Sequence, residues 1–125
     1  MIRTFTLDTG ALIALERRRQ RMTEMVMRAR GSHVKLVVPQ VALAEWWRGR
    51  SDLRERILGI VVIEPMTDAL AKLAGEALAD VDGATTIDAI VMASAASRGD
   101  TVFTSDPDDL ERLRSFFPSV RVLSA

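Results

Sequence analysis

Apolar residues along this chain fall into two alternating patterns, short runs spaced for strands and longer stretches spaced for helices. Phe5 and Leu7 alternate with Thr4 and Thr6, and residues 11–15 then change to helix-favouring Ala, Leu and Ile. Met22, Met25, Val26 and Ala29 recur at i, i+3, i+4 and i+7, which predicts a second helix ended by Gly31 in a left-handed conformation. The β-branched run 34–38, closed by Pro39, predicts a second strand, and Val41, Ala42, Ala44 and Glu45 begin a third helix that continues to Gly49. Ser51 is placed to cap a short helix to Leu58; after the stop at Gly59, Ile60-Val61-Val62-Ile63 reads as a strand buried on both faces.

The same alternation continues to the C-terminus. Thr67 caps a helix whose apolar stripe is Leu70, Leu73, Ala74, Ala77, Leu78 and Val81, and Asp82-Gly83 makes a turn. Thr86 then caps a helix over 87–98, Gly99 stops it, and 101–104 form a strand. Pro107 opens a helix reaching Phe117, and 120–123 make the last strand. Nearly continuous apolar strands alternating with helices predict one α/β domain over residues 1–125, a mostly parallel central sheet with helices on both faces. Ligands of such sheets bind beyond the carboxyl ends of the strands, so the residues following each strand are where chemistry is expected.

Composition narrows that chemistry. A chain of 125 residues that is 48% hydrophobic and 27% charged is long enough for one core. The absence of Cys removes a disulfide framework, a thiolate zinc site and a cysteine nucleophile, and is compatible with a reducing compartment; the expected location is the cytoplasm. His33 is the single histidine, and it reads as a surface-loop residue, so a multi-histidine metal centre is excluded. No run of 18 apolar residues is present to cross a membrane, and Asp8 interrupts the only apolar stretch near the start before a signal peptide can form. The seven glycines never occur as Gly-x-Gly, which removes the dinucleotide fingerprint and the Walker loop.

Charge is balanced at 17 basic against 17 acidic residues, so nucleic-acid binding has to come from a local patch. Fifteen of the cations are Arg, with a knot at Arg17, Arg18, Arg19 and Arg21 and a spread at Arg48, Arg50, Arg54 and Arg56. The planar guanidinium suits phosphate, while arginines on helices also serve simply as a solvated face.

Four carboxylates stand alone in uncharged surroundings. Asp8 is the only charged residue from Thr4 to Leu15, Glu45 from Val37 to Trp47, Asp88 from Gly83 to Ser97, and Asp106 from Thr101 to Pro107. Individually, Asp8 and Asp106 can cap the helices that follow them and Asp88 can complement a helix dipole, whereas Glu45 lies mid-helix without such a role. Jointly they recur at the carboxyl ends of strands or on helices able to reach that edge. A buried carboxylate needs a compensating cation, and no Lys or Arg lies nearby in sequence. Carboxylates converging without His or Cys select hard divalent ions, Mg²⁺ or Mn²⁺, and through them phosphoryl transfer by an activated water.

These residues resemble the PIN-domain ribonucleases, and more narrowly the VapC toxins of bacterial toxin–antitoxin modules. Leu7-Asp8-Thr9 is similar to the family's opening strand ending in Asp, Glu45 with Gly49 to its second acid motif, Ile87-Asp88-Ala89 to its third, and Thr104-Ser105-Asp106 to its Thr-x-Asp motif. The resemblance implies a metal site of Asp8, Glu45, Asp88 and Asp106, with Thr104 orienting it, an RNA substrate, a homodimer and a cognate antitoxin. Trp46-Trp47 departs from the aliphatic pair expected after the second acid and is read as core or dimer packing. Asp108 and Asp109 are read first as a solvated first helical turn, with an approach to the acid site as the alternative. Trp46, Trp47, Met22, Met25 and Met27 look too many for one small core, which supports the dimer. Two other readings remain open: a PIN fold retained as an inactive RNA- or protein-binding module, and a phosphoacceptor receiver. The receiver needs a lysine ending its last strand, and the only lysines are Lys35 and Lys72.

Overall fold

A computed structural model describes residues 3–125. Its elements alternate much as the pattern requires: β1 (Thr4–Leu7), α1 (Thr9–Glu16), α2 (Gln20–Gly31), β2 (Lys35–Pro39), α3 (Gln40–Trp46), α4 (Asp52–Leu58), β3 (Val62–Glu64), α5 (Asp68–Asp80), α6 (Thr86–Arg98), β4 (Thr101–Thr104), α7 (Pro107–Glu111) and β5 (Arg121–Ser124). The five strands form one sheet in the order β3-β2-β1-β4-β5, and every pairing is parallel. The chain therefore steps outward from β1 to β3, then returns to the other side of β1 with β4. That reversal opens a crevice between the carboxyl ends of β1 and β4, where a parallel sheet offers its ligand site.

Alternation along the strands divides the core into two. Leu7, Leu36, Val38 and Phe103 face α1–α4, joining Leu12, Met22, Met25 and Trp46. Val102 and Val120 face α5–α7, joining Ala77, Val91, Met92, Leu110 and Leu113. Met22, Met25 and Trp46 are thus absorbed by the protein's own core, and of the supposed surplus only Met27 stands largely in solvent. Trp46 meets the half-buried Trp47 edge-to-face at 6.1 Å and donates its Nε1–H to Glu16.

Several boundaries differ from expectation for identifiable reasons. The strand at 60–63 begins only at Val62 and pairs only with β2; as an edge strand it leaves Val62 half exposed instead of burying both faces. Thr85, not Thr86, caps α6 through the Asp88 N–H. The helix opened by Pro107 ends at Glu111 and tightens into a 3₁₀ turn over Arg112–Ser115. α3 stops at Trp46, and Gly49, at φ +104, turns the chain towards α4, a conformation that favours glycine. The left-handed residue after α2 is His33, not Gly31: its N–H bonds Arg30 O and the Val34 N–H bonds Ala29 O, the paired reverse bonds of a Schellman stop. Arg18, also left-handed, closes α1 in the same way.

Candidate active site

All four singled-out acids lie on elements that meet at the carboxyl edge of the sheet. Asp8 ends β1 and caps α1, accepting the Ala11 N–H at 2.9 Å. Asp106 follows β4, the strand paired with β1, and precedes α7. Asp88 lies in the first turn of α6, and Glu45 lies on α3. α3 packs against α6, and α6 crosses β1, β2 and β4, which brings the helices' acids towards the strands' acids.

A close contact joins the start of α1 to the loop after β4. A Cβ on Gly10 would fall 2.0 Å from Ser105 Oγ and 3.0 Å from Ser105 N, so the first turn of α1 presses directly on the loop carrying Asp106. Only glycine permits this approach. Gly10 was not recognisable as a site residue from its own neighbourhood; its signal is its position, two residues beyond the acid that ends β1.

Fixed hydrogen bonds orient the polar groups. Thr104, 2% exposed, accepts the Asp106 N–H on its hydroxyl oxygen. Thr9 donates to Glu45 Oε1 at 2.6 Å, tying α1 to α3. Burial pushes the Asp8 carboxyl up from 3.8 to about 6, against the opposing pull of the Thr104 hydroxyl and the Ala11 N–H, and the Asp88 charge adds to the rise. Asp88 is also raised, first by burial and then by Asp109, Glu45 and Asp106. Asp106 is raised chiefly by its hydrogen bond and charge repulsion with Asp109. Asp109 is exposed in the first turn of α7, as expected, and its charge also acts on Asp106 and Asp88. The signal was its i+3 spacing from Asp106, which folds it back over that carboxylate in α7.

Of this acidic group only Asp109 meets a cation, Arg112 at 4.0 Å. Among the described residues, every ion pair involves Arg50, Arg54, Arg98, Arg112 or Arg114, and none reaches Asp8, Glu45, Asp88 or Asp106. Nor do three acids among the described residues lie close enough together to enclose one ion by themselves. Hard oxygen donors that are mutually repelling but do not form a cage suit an ion that keeps much of its water. Mg²⁺ is of this kind, typically bound by one or two carboxylates with waters and phosphates completing the shell, whereas Ca²⁺ takes six to eight ligands.

The fold itself is shared with several solved proteins. The chain is similar to VapBC2 from Rickettsia felis bound to a promoter DNA fragment, with a TM-score of 0.78 at 11% identity, covering 98% of each chain. DNA-bound VapBC from Salmonella typhimurium gives 0.72 at 19% identity, covering 99% of this chain and 98% of that one. FitAcB from Neisseria gonorrhoeae gives 0.62 at 17%, covering 95% and 96%. No curated protein matches significantly in sequence. The receiver alternative has nothing left to support it: β5 runs Arg121-Val122-Leu123-Ser124 without a lysine, and the edge acids follow another family's order. The PIN domain model matches residues 5–115, nearly the whole chain, and the protein belongs to that family.

Proposed function

We propose that the protein is a Mg²⁺- or Mn²⁺-dependent endoribonuclease, and that it serves as the toxin of a VapBC-type toxin–antitoxin pair. The observation that carries the reading is the convergence of the elements bearing Asp8, Glu45, Asp88 and Asp106 on the carboxyl edge of the sheet, where none of the four makes an ion pair among the described residues and partial burial raises the Asp8 carboxyl to about 6. Asp8 and Asp88 hold the ion, Glu45 and Asp106 complete the site, and Thr104 orients Asp8. A divalent ion held there supplies an activated water and charge stabilisation at the scissile phosphate. A bound divalent ion would supply the countercharge that the Asp8 carboxylate lacks among the described residues. Asp88, at the open mouth of α6, faces Asp106 and Asp109 and sets the acidic field in which phosphate can be tolerated only with a cation present.

The toxin assignment draws on the family and on the likeness to VapBC proteins reported as bound to promoter DNA. On this reading the partners are an RNA substrate, a second copy of the chain and an antitoxin protein, and the site of action is the cytoplasm. No helix among the described residues is long and apolar enough to cross a membrane. A second reading, an inactive binding module, draws on the spacing of the acids, since no three of those described enclose an ion.

Incubation of the pure protein with total RNA, with Mg²⁺, with Mn²⁺ and with excess EDTA separates these readings. Internal cleavage that needs either ion and is lost in Asp88→Asn is expected. Cleavage persisting in EDTA overturns the metal mechanism, and RNA binding without cleavage at any ion concentration establishes the inactive module.

A further inference from the structure

The arginine knot at 17–21 splits in the fold. Arg18 takes φ +56 in the Schellman stop of α1, with the Arg19 N–H bonded back to Ala14 O and its own N–H to Leu15 O. A side chain in this left-handed conformation costs about 1–2 kcal/mol and glycine is the usual occupant. The corner sends neighbouring side chains to different places. Arg17, Arg19 and Arg21 wall a cleft of about 570 Å³ that reaches Gly10 and Ser105, the contact two residues beyond Asp8 and one before Asp106. Arg18 instead lines a separate cleft with Leu15, Leu53 and Ile57.

The arginine cleft does not end at Arg21. A second one, of about 440 Å³, shares Arg21 and adds Arg3 and Arg28 over a floor containing Phe5 and Phe103. Ser124 lines the second cleft and Ala125 the first, so the end of β5 runs beside both. No acidic residue lines either cleft. Among the described residues, Arg3, Arg17, Arg19, Arg21 and Arg28 make no ion pair and no side-chain hydrogen bond. In a chain with no net charge, five free guanidinium groups line two clefts joined at Arg21, one of which reaches Gly10 and Ser105 beside the acids Asp8 and Asp106.

We infer that this line of arginines is the track for the backbone of single-stranded RNA, drawing the strand past Arg28 and Arg21 to Arg17 and delivering a phosphate at the Gly10–Ser105 contact. The inference rests on the endoribonuclease reading and names the surface by which that site takes its substrate. An anionic polymer is the occupant favoured by charge, because five unpaired arginines and no acidic side chain line two adjoining clefts that share Arg21. A single strand is favoured over a duplex because its exposed bases can meet apolar and aromatic side chains such as Phe5, while a duplex presents only its backbone to a narrow cleft.

The test measures binding without cleavage. Anisotropy of a fluorescein-labelled 15-nucleotide oligouridylate is followed in EDTA at increasing salt for the parent, for the triple variant R17Q/R19Q/R21Q, and for R18Q. Each lost phosphate contact reduces the logarithmic salt slope by about 0.7, so the triple variant is expected to lose about two from the slope and about a hundredfold in affinity at 0.1 M salt. R18Q, with one charge removed on the other side of the corner, should leave the slope unchanged, and R17K/R19K/R21K should restore binding. A triple variant with parental affinity and slope overturns the track and leaves these arginines to an acidic peptide. R18Q with a loss equal to R17Q alone overturns it as well, by reducing the effect to bulk charge. Equal binding of a 15-base-pair RNA duplex overturns the single-stranded assignment. Cleavage assays in Mg²⁺ keep the two conclusions apart: a parent that binds in this pattern yet never cuts refutes the nuclease, and a triple variant that cuts with unchanged KM refutes the track.

Discussion

Asp8→Asn tests the electrostatics of the site without disturbing its local geometry. Asn serves as an N-cap about as well as Asp, so the bond from the Ala11 N–H is retained. What changes is the charge. A carboxyl raised from 3.8 to about 6 binds its proton more tightly in the folded than in the unfolded chain. The folded state therefore carries no penalty below pH 3.8, loses stability as pH rises from there through 6, and carries the full penalty above that. The shift corresponds to about 3 kcal/mol at pH 8, an upper figure because water reaches the open side of the crevice. For a domain of this size that is roughly 10 °C in melting temperature. Without divalent ion, Asp8→Asn should melt at least several degrees above the parent at pH 8 and together with it at pH 4. Excess Mg²⁺ should raise the parent's melting temperature and leave the variant's alone. An Asp8→Asn protein that melts below the parent at pH 8, with the same pH slope, would refute the argument, because it would mean that Asp8 is already compensated inside the fold.

Four further outcomes follow from other contacts. Asp88→Asn, whose carboxyl is raised by burial and by Asp109, Glu45 and Asp106, should stabilise the metal-free protein while abolishing cleavage; lower stability together with intact cleavage removes it from the site. Gly10→Ala should lower the melting temperature and reduce kcat, since its methyl group meets Ser105 at distances no real contact shows; an unchanged kcat would mean that the α1–β4 closure is irrelevant to the acids. Arg98→Met leaves Asp100 and Glu64 without their cation and should cost about 3 kcal/mol by chemical denaturation, whereas a cost under about 0.5 kcal/mol would make the pair dispensable. Sedimentation at micromolar concentration should give twice 13.8 kDa, with Val62→Glu weakening the association if the exposed β3 edge takes part; a 13.8 kDa species alone excludes the dimer.

Much of this molecule is legible in the chain because its strands and helices carry different periods. Thr4–Leu7, Lys35–Pro39 and Thr101–Thr104 are found where alternation and β-branching place them, and the caps Ser51 and Thr67 act on the N–H groups three residues ahead. The isolation of Asp8, Glu45, Asp88 and Asp106 is equally a property of the sequence. What it withheld was set by tertiary contact. The burial of Ile60-Val61-Val62-Ile63 was misread because an apolar run does not reveal that its strand is at an edge. Left-handed stops at Arg18 and His33 carry no glycine to announce them, so the division of the arginine knot had no sequence signal. The competing readings of Asp8 also turned out not to compete, since one carboxylate caps α1 and stands in the crevice at once. Gly10 carries no signal of its own in the sequence, and the action of Asp109 on Asp106 shows only once α7 is folded, because the importance of each lies in what packs against it.

Helix α6 treats the acids at its two ends differently. Its C-terminal end presents Arg98 to Asp100 and Glu64, with Nε 3.0 Å from Asp100 Oδ2 and Nη2 2.7 Å from Thr6 Oγ1. Thr4 and Thr6 donate to the same Asp100 carboxylate, and Ser94 donates to Glu64. At this end of the sheet, buried carboxylates are matched group by group, as a stable core requires. At the other end the same helix presents Asp88 to Glu45, Asp106 and Asp109, of which only the exposed Asp109 meets a cation, Arg112 at 4.0 Å, while five unpaired arginines line two neighbouring clefts. The chain evidently has arginine available and packs it against acids where only structure is at stake. Leaving the crevice uncompensated keeps a destabilising charge in the fold that only a cation from outside relieves. Placing the free arginines one step away, beyond Gly10 and Ser105, keeps them from neutralising the acids while leaving them able to hold a phosphate chain. Separate acidic and basic surfaces meeting at one glycine contact are what a site needs if cation and polyanion must both be bound and brought together only there.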